Sequence, residues 1–248
     1  NDGTNNGATW TENGKYGGAY SFDGNDDYIS TASIFDSLTS FSFSAWIKPE
    51  RVDVTQQNIF AQGTTNYPQP YDISVNQQTI RFVVGNSYDF SDISTGNVIS
   101  SGNWHHVVCT YDSSTNALKI YVNNGEPTIG TNSVSFSYAG DSYIGRRGDG
   151  QYFKGLIDEV RVYNRSLSSD EVEFLYNSNL KKYDSDKWNL ISNVLLVEGE
   201  NTYSSIACDS GGLCNSTEDR TFNVVVPKLN LDLLEPLLPE VEVSKDGT

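Results

Sequence analysis

The chain has 248 residues, and its 32 acidic against 16 basic side chains give a formal net charge of -16, a field that repels phosphate backbones and anionic lipid and leaves nucleic acid an unexpected partner. No run of the ~18 apolar residues needed to cross a bilayer occurs, so membrane insertion is not expected either. The length admits one large domain and a smaller appendage, and a chain that starts at Asn1 with no Met anywhere is expected to be a processed product or a piece of something longer.

Aromatic residues make up 12% of the chain, and its apolar segments are short and broken by Gly, Asn, Ser and Asp, which favours many strands over long helices. Alternation with period two marks them in turn: Phe41, Phe43 and Ala45; Tyr71, Ile73 and Val75; Ile80, Phe82 and Val84; Leu118, Ile120 and Val122; Val134, Phe136 and Tyr138. Each predicts a strand with one buried face. Turn signals separate them, among them Asp112–Asn116 and Asn124-Gly125, the second suited to a type I′ hairpin turn. A single short helix is predicted over Ser168–Tyr176, where Ser168 caps the first turn, Glu171 completes an S-x-x-E capping box, and Val172, Leu175 and Tyr176 share a face. It is expected to cover an edge or end of the sandwich.

The first domain is therefore expected to span 1–180. The polar stretch that follows lacks either period, so 181–187 reads as a linker. Beyond it, Trp188–Gly199, Asn201–Cys208 and Arg220–Val226 read as three strands of a small β segment over 188–227. This segment resembles part of an immunoglobulin-like domain, but some forty residues are too few for a whole sandwich of ~100. It is either the closing part of such a domain or an appendage that covers its apolar faces elsewhere, which makes 188–248 a surface for assembly. The Leu/Pro/acidic run at 228–248 is expected to be an extended tail. Cys208 and Cys214 flank a Gly-rich loop, and a disulfide there in an oxidising compartment would contribute ~2–3 kcal/mol. The rival, a metal site, lacks a second Cys/His pair. Cys109, inside a strand-like run, reads as a buried thiol. The sequons at Asn164 and Asn215 fit a surface location.

Four segments in order carry a family resemblance: GKYGGAYSFDGNDDYIS (Gly14–Ser30), FSFSAWIKP (Phe41–Pro49), GNWHHVVCTYDSSTNALKIYVNNGE (Gly102–Glu126) and YIGRRGDGQYFKGLIDEVRVYNRSLSSDEVEFLYN (Tyr143–Asn177). The chain resembles the laminin-G-like, concanavalin A-like domains. That resemblance implies an all-β, two-sheet antiparallel jelly-roll sandwich with one short C-terminal helix and with its first and closing strands adjacent. It also implies an extracellular or cell-surface module that binds carbohydrate or a partner protein, commonly with a calcium ion. The loop at Asn58–Pro70 departs from the pattern.

Asp158 shares strand parity with Leu156, Val160 and Val162, so its carboxylate is expected at the core, where it must meet backbone N–H groups, a cation or a metal. The loop Asp23–Asp27 is rich in oxygen and, if the family pairing holds, lies beside the closing strand. Calcium takes ~6–8 oxygen ligands. The expected site is a structural calcium held by Asp23 and Asp158, with Gly24, Asn25 and Asp26 nearby; the alternative is that Asp23 and Asp158 cap turns through N–H bonds without metal. For a ligand, Tyr67, Tyr71, Tyr88, Arg146, Arg147 and Tyr152 lie on or beside predicted loops, aromatic faces suiting sugar rings and guanidinium forks carboxylated glycans. Trp46 and Trp104 read as core. Catalysis is not expected. Glycosidases of this architecture need a carboxylate pair across a cleft; Asp158 and Glu159 point to opposite faces, and neither His105 nor His106 has a visible nucleophile partner. The expected function is a recognition module. Two alternatives stand beside it, a structural or adhesive segment of a surface assembly and a non-catalytic accessory domain of a secreted hydrolase.

Overall fold

Alternating side chains place the strands in two seven-stranded antiparallel sheets. The computed structural model describes residues 3–34, 38–63, 71–86, 89–135, 140–148, 150–182, 188–192, 198–203, 206–208, 214–216 and 218–224. In chain order the strands of the sandwich are β1 (Thr4–Asn6), β2 (Thr9–Gly14), β3 (Gly17–Asp23), β4 (Tyr28–Thr31), β5 (Phe41–Pro49), β6 (Gln57–Gln62) and β7 (Tyr71–Asn76). They continue with β8 (Thr79–Gly85), β9 (Phe90–Ser94), β10 (His105–Asp112), β11 (Ala117–Val122), β12 (Thr128–Thr131), β13 (Ser142–Ile144) and β14 (Lys154–Tyr163). The first sheet runs β1-β4-β13-β6-β7-β8-β9 and the second β12-β11-β10-β5-β14-β3-β2. The opening and closing strands β3 and β14 are neighbours, with Lys154 opposite Asp23 and Ile157 opposite Tyr20.

Between the sheets, Phe43, Ala45 and Ile47 of β5 and Val107 and Cys109 of β10 meet Ile73 and Val75 of β7 and Phe82 and Val84 of β8, all sealed from solvent. Each such apolar side chain stabilises the fold by ~1.5–3 kcal/mol. Burial pushes the Cys109 thiol far above its ordinary pKa. Tyr71 belongs to this core: it is 1% exposed and lies edge-on to Phe41 with ring centroids 4.6 Å apart. The expectation that Tyr71 touches a ligand is thereby overturned, because it shares the inward parity of Ile73 and Val75.

Other local differences have equally simple causes. After β11 the left-handed residues are Asn123 and Asn124, closed by a bond from Gly125 N–H to Val122 O at 3.0 Å, so the turn uses Asn-Asn one residue earlier than expected. Val134 and Ser135 are outside strands, and 136–139 lie outside the described residues.

In β14, Asp158 stands opposite Trp46 but Arg161 opposite Ser44. One extra residue is accommodated by Glu159, whose φ is 51, a bulge that reverses strand parity. Ile157, Val160 and Val162 therefore face the core, and Asp158, opposite Trp46, faces outward. The expected inward carboxylate fails because period two does not survive a bulge.

The helix α1 (Ser169–Asn177) has both bonds of its capping box, Glu171 N–H to Ser168 Oγ at 3.3 Å and Ser168 N–H to Glu171 Oε2 at 2.9 Å. Val172 and Leu175 are buried with Val108, Tyr121 and Leu167. The helix thus covers the outer face of the second sheet. Trp46 is sealed on that same face, stacked on Tyr176 at 5.4 Å, while Trp104 is half-buried ahead of β10.

After the helix, β15 (Ser178–Lys182) pairs with β16 (Trp188–Ser192), so a strand that starts within the expected first domain runs into the first two residues of the expected linker. Contacts divide the chain into Asn1–Asn193 and Val194–Thr248. In the second unit β17 (Gly199–Tyr203) and β18 (Ile206–Cys208) pair respectively with β20 (Arg220–Val224) and β19 (Cys214–Ser216), and Cys208 stands opposite Cys214 in that register. The tail at 228–248 lies outside the described residues. Among the described residues no helix is long and apolar enough to cross a membrane.

Candidate functional site

The loop from β3 to β4 folds around its own carboxylates. Asp23 accepts hydrogen bonds from Asn25 N–H at 2.8 Å, Asn25 Nδ2 at 2.9 Å and Asp26 N–H at 3.3 Å, while Asp27 Oδ2 accepts from Asp23 N–H at 2.9 Å. The Asn25 backbone N–H is the main reason the Asp23 carboxyl sits below its ordinary pKa. Gly24 has φ +81, and a side chain there would begin 2.8 Å from Lys154 Cβ, so both conformation and space require glycine. Asp23, Asp26 and Asp27 each bring a carboxylate oxygen within 4.8 Å of the others.

Asp158 does not join them. It lies four residues along β14 from Lys154, the partner of Asp23, about 13 Å at ~3.3 Å per residue. Its Oδ2 accepts from Tyr16 N–H at 3.0 Å and its Oδ1 from Glu159 N–H at 2.7 Å. Burial raises its pKa, opposed by the N–H groups of Tyr16, Glu159 and Lys15. Asp158 is thus a cap on the turn between β2 and β3, and the expected five-residue metal set divides, with Asp27 beside Asp23 where Asp158 had been placed.

The outer face of the first sheet carries a second constellation. Ile29 pairs with Ile144 and both pack inward, so alternation sends Tyr28 and Tyr143 outward. Their ring centroids are 6.0 Å apart at an interplanar angle of 73°. The Arg146 guanidinium lies over both, 3.8 Å from the Tyr28 centroid and 4.3 Å from that of Tyr143. Arg146 is half-buried, and its Nε is sealed from solvent without a hydrogen-bond partner. The chain reaches this position by leaving β13 through Gly145, at φ +85 against the Phe22 ring. Phe153 N–H donates to Gly145 O at 2.8 Å and Gly145 N–H to Ile59 O at 2.9 Å, which fixes the loop.

Arg147, the next residue, is placed differently. It is 7% exposed and pairs at 3.3 Å with Asp72 on β7, itself 2% exposed. The same Asp72 Oδ2 accepts from Gln56 Nε2 at 3.1 Å. Burial raises the Asp72 carboxyl, and Asn58, Arg147 and Ser74 pull against it, although Asn58 Nδ2, Ser74 Oγ and Asp72 Oδ1 lie outside hydrogen-bonding geometry and are sealed without partners. Arg147 is therefore an internal strut, which corrects its expected place on a ligand surface. Tyr152 is half-buried on the Gly145–Phe153 loop, its N–H 3.1 Å from Gly150 O. Tyr67 and Tyr88 lie outside the described residues.

Residues 23–173 match the family model for the concanavalin A-like lectin/glucanases superfamily. The chain belongs to this superfamily. It is 27% identical over 150 residues to the pentraxin-related protein PTX3 of Mus musculus, covering 54% of this chain and 38% of that protein; the Homo sapiens protein gives 28% over 136 residues, 53% of this chain and 34% of the relative. The matches thus span little more than a third of these curated relatives. Among solved structures it is similar to domain 4 of AbnA, a GH43 extracellular arabinanase from Geobacillus stearothermophilus, in complex with arabinotriose. That match has TM-score 0.55 at 26% identity over 67% of this chain and 80% of that one. The botulinum neurotoxin type G receptor binding domain shares the fold at TM-score 0.54 and 14% identity, over 70% of this chain and 46% of that one.

A lectin/glucanase fold leaves open which half of the description applies. One pair of catalytic type does form, unforeseen in the sequence: Ser44 Oγ lies 2.9 Å from His106 Nε2. Both are sealed, with His106 beside Trp46 at 5.1 Å and Tyr176 at 5.9 Å. Burial, then the charges of Arg161 and Lys15, lowers the imidazole pKa to about 3, and its Nδ1 has no partner. A histidine tuned for base catalysis has a pKa near the working pH and an acceptor orienting its second nitrogen. His106 has neither. His105 is tied instead to Ser100 and Asn123, its Nδ1 3.2 Å from Asn123 Nδ2.

Proposed function

We propose that this protein is an extracellular, non-catalytic carbohydrate-binding module whose ligand lies on the outer face of the first sheet, across Tyr28, Tyr143 and Arg146. The observation that carries the reading is the Arg146 guanidinium lying over two tyrosines on a face that the helix does not cover. Aromatic rings present apolar faces to the C–H groups of a sugar, and a fixed polar group beside them sets its orientation. Similarity to an arabinanase domain bound to arabinotriose supports both the ligand class and the accessory-domain setting. Binding on a glycan array, saturable and lost in the double variant Tyr28→Ala/Tyr143→Ala, is the expected outcome; a blank array across neutral and acidic sugars would remove the proposal.

The same reading includes a structural calcium at the rim. Asp23, Asp26 and Asp27 offer the all-oxygen donors that a hard cation takes, and the two positive charges of a bound calcium would offset most of the charge of these clustered carboxylates next to Tyr28. Calorimetry on chelator-treated protein is expected to show heat on adding calcium and a raised melting temperature. No heat and no shift would rule the ion out.

A further inference from the structure

We infer that the sugar taken by this face is acidic, with a carboxylate or sulfate group seated against the end of the Arg146 guanidinium; the inference rests on the carbohydrate-binding reading above. A guanidinium is always charged and carries five N–H donors. In this chain Arg81, Arg147, Arg161 and Arg165 each spend theirs on a carboxylate, those of Asp92, Asp72, Glu159 and Glu171 respectively; among the described residues Arg51, whose Nε is also sealed without a partner, Arg220 and Arg146 do not, and of these three Arg146 is the one that lies over aromatic rings. Arg146 has no carboxylate and no hydrogen-bond acceptor among the described residues, in a chain with twice as many acidic as basic side chains. Its contacts are the two rings.

Those rings determine what is left for a ligand. The two rings lie against the guanidinium and Nε is sealed, which leaves the two Nη groups at its end. They form a planar fork, and because the tyrosines already hold the guanidinium in place, little side-chain freedom remains to be lost on binding. Hydroxyls of a neutral sugar can accept from such a fork, but a carboxylate or sulfate accepts two charge-assisted bonds, each roughly twice as strong as a neutral one. Carboxylates beyond ~8 Å oppose an anion only weakly, since they are screened at physiological ionic strength; the nearer trio Asp23, Asp26 and Asp27, next to Tyr28, opposes it more, and a cation bound there would reduce that repulsion.

The test is titration calorimetry of the whole chain with three oligosaccharides of matched length: an oligogalacturonate, a chondroitin sulfate fragment and a neutral arabino-oligosaccharide. At least one acidic ligand is expected to bind about tenfold tighter than the neutral one, and whichever does so identifies the group as carboxylate or sulfate. Arg146→Ala and Arg146→Gln, the second keeping a hydrogen-bonding amide without charge, are expected to erase the difference while melting temperature stays within a few degrees. Equal or tighter binding of the neutral ligand overturns the inference and leaves the carbohydrate reading in place. A preference for acid that survives both variants overturns the role of Arg146, and no binding by any of the three overturns the carbohydrate reading as well.

Discussion

The two sheets use their inner faces alike, and each carries on its outer face a cluster of aromatic and charged side chains that the chain covers to a different extent. On the second sheet Trp46, His106 and Asp158 form an aromatic and polar cluster that is sealed beneath α1, whose Tyr176 stacks on Trp46, and the turn between β2 and β3. On the first, Tyr28, Tyr143 and Arg146 form a cluster of similar chemistry that stays half-buried. Composition alone does not distinguish a recognition surface from a structural layer; what distinguishes them is whether the chain itself supplies the cover. The contrast repeats at the scale of adjacent residues, since Arg146 stacks near solvent and Arg147 is a buried strut.

That contrast can be broken experimentally. The largest effect is expected from Arg147→Ala, which leaves the Asp72 carboxylate buried and unpaired and should cost ~3–5 kcal/mol; Arg146→Ala should cost under ~1 kcal/mol, and urea denaturation of the two variants measures the difference directly. Equal losses would mean that both arginines are structural. Next in size is a pH dependence from His106. Its pKa falls from 6.5 unfolded to about 3 folded, so the unfolded state binds the proton first and stability is lost on acidification, by roughly 2 kcal/mol between pH 6.5 and 5. His105, lowered by burial, adds to the same slope. The raised carboxyls of Asp72, Asp158 and Glu159 have the opposite sign, favouring the fold as pH falls toward their own titration. Denaturation midpoints at both pH values, in the wild type and in His106→Gln, should show the slope and its reduction. The smallest effect is at the helix cap, where Ser168→Ala should cost ~1 kcal/mol and leave ligand affinity unchanged.

Much of the fold could be read from the sequence because period two is a local signal. The strands at Phe41, Tyr71, Ile80 and Leu118, the capping box at Ser168 and the pairing of first and last strands all follow from it or from motif order. What could not be read depends on structure the sequence leaves unmarked. The bulge at Glu159 is a single residue in a run where Leu156, Asp158, Val160 and Val162 alternate without interruption, so the alternation points Asp158 to the face opposite to the one it takes. Ser44 and His106 meet only through the pairing of β5 with β10. Of the candidate metal residues, Asp23, Asn25 and Asp26 gather because they share one loop, as does Asp27. Asp158, brought close only by strand register, stands four rungs away. Tyr71 carries two conflicting signals: its alternation with Ile73 and Val75 marks it as core and its nearness to a loop suggests a surface, and the structure follows the alternation. Tyr28 and Tyr143 had a signal too, since each precedes an inward Ile on a short strand, which places the tyrosine outside.

The central claim is that carbohydrate binds the half-buried corner of the first sheet's outer face at Tyr28, Tyr143 and Arg146 and not the helix-covered face of the second sheet. Amide chemical-shift mapping of the whole chain during titration with an oligosaccharide tests it most directly. The account predicts saturable shifts centred on Tyr28, Tyr143 and Arg146 and none at Trp46, His106 or Tyr176. Shifts centred on the helix-covered face, or a spectrum unchanged by every sugar tried, would contradict it.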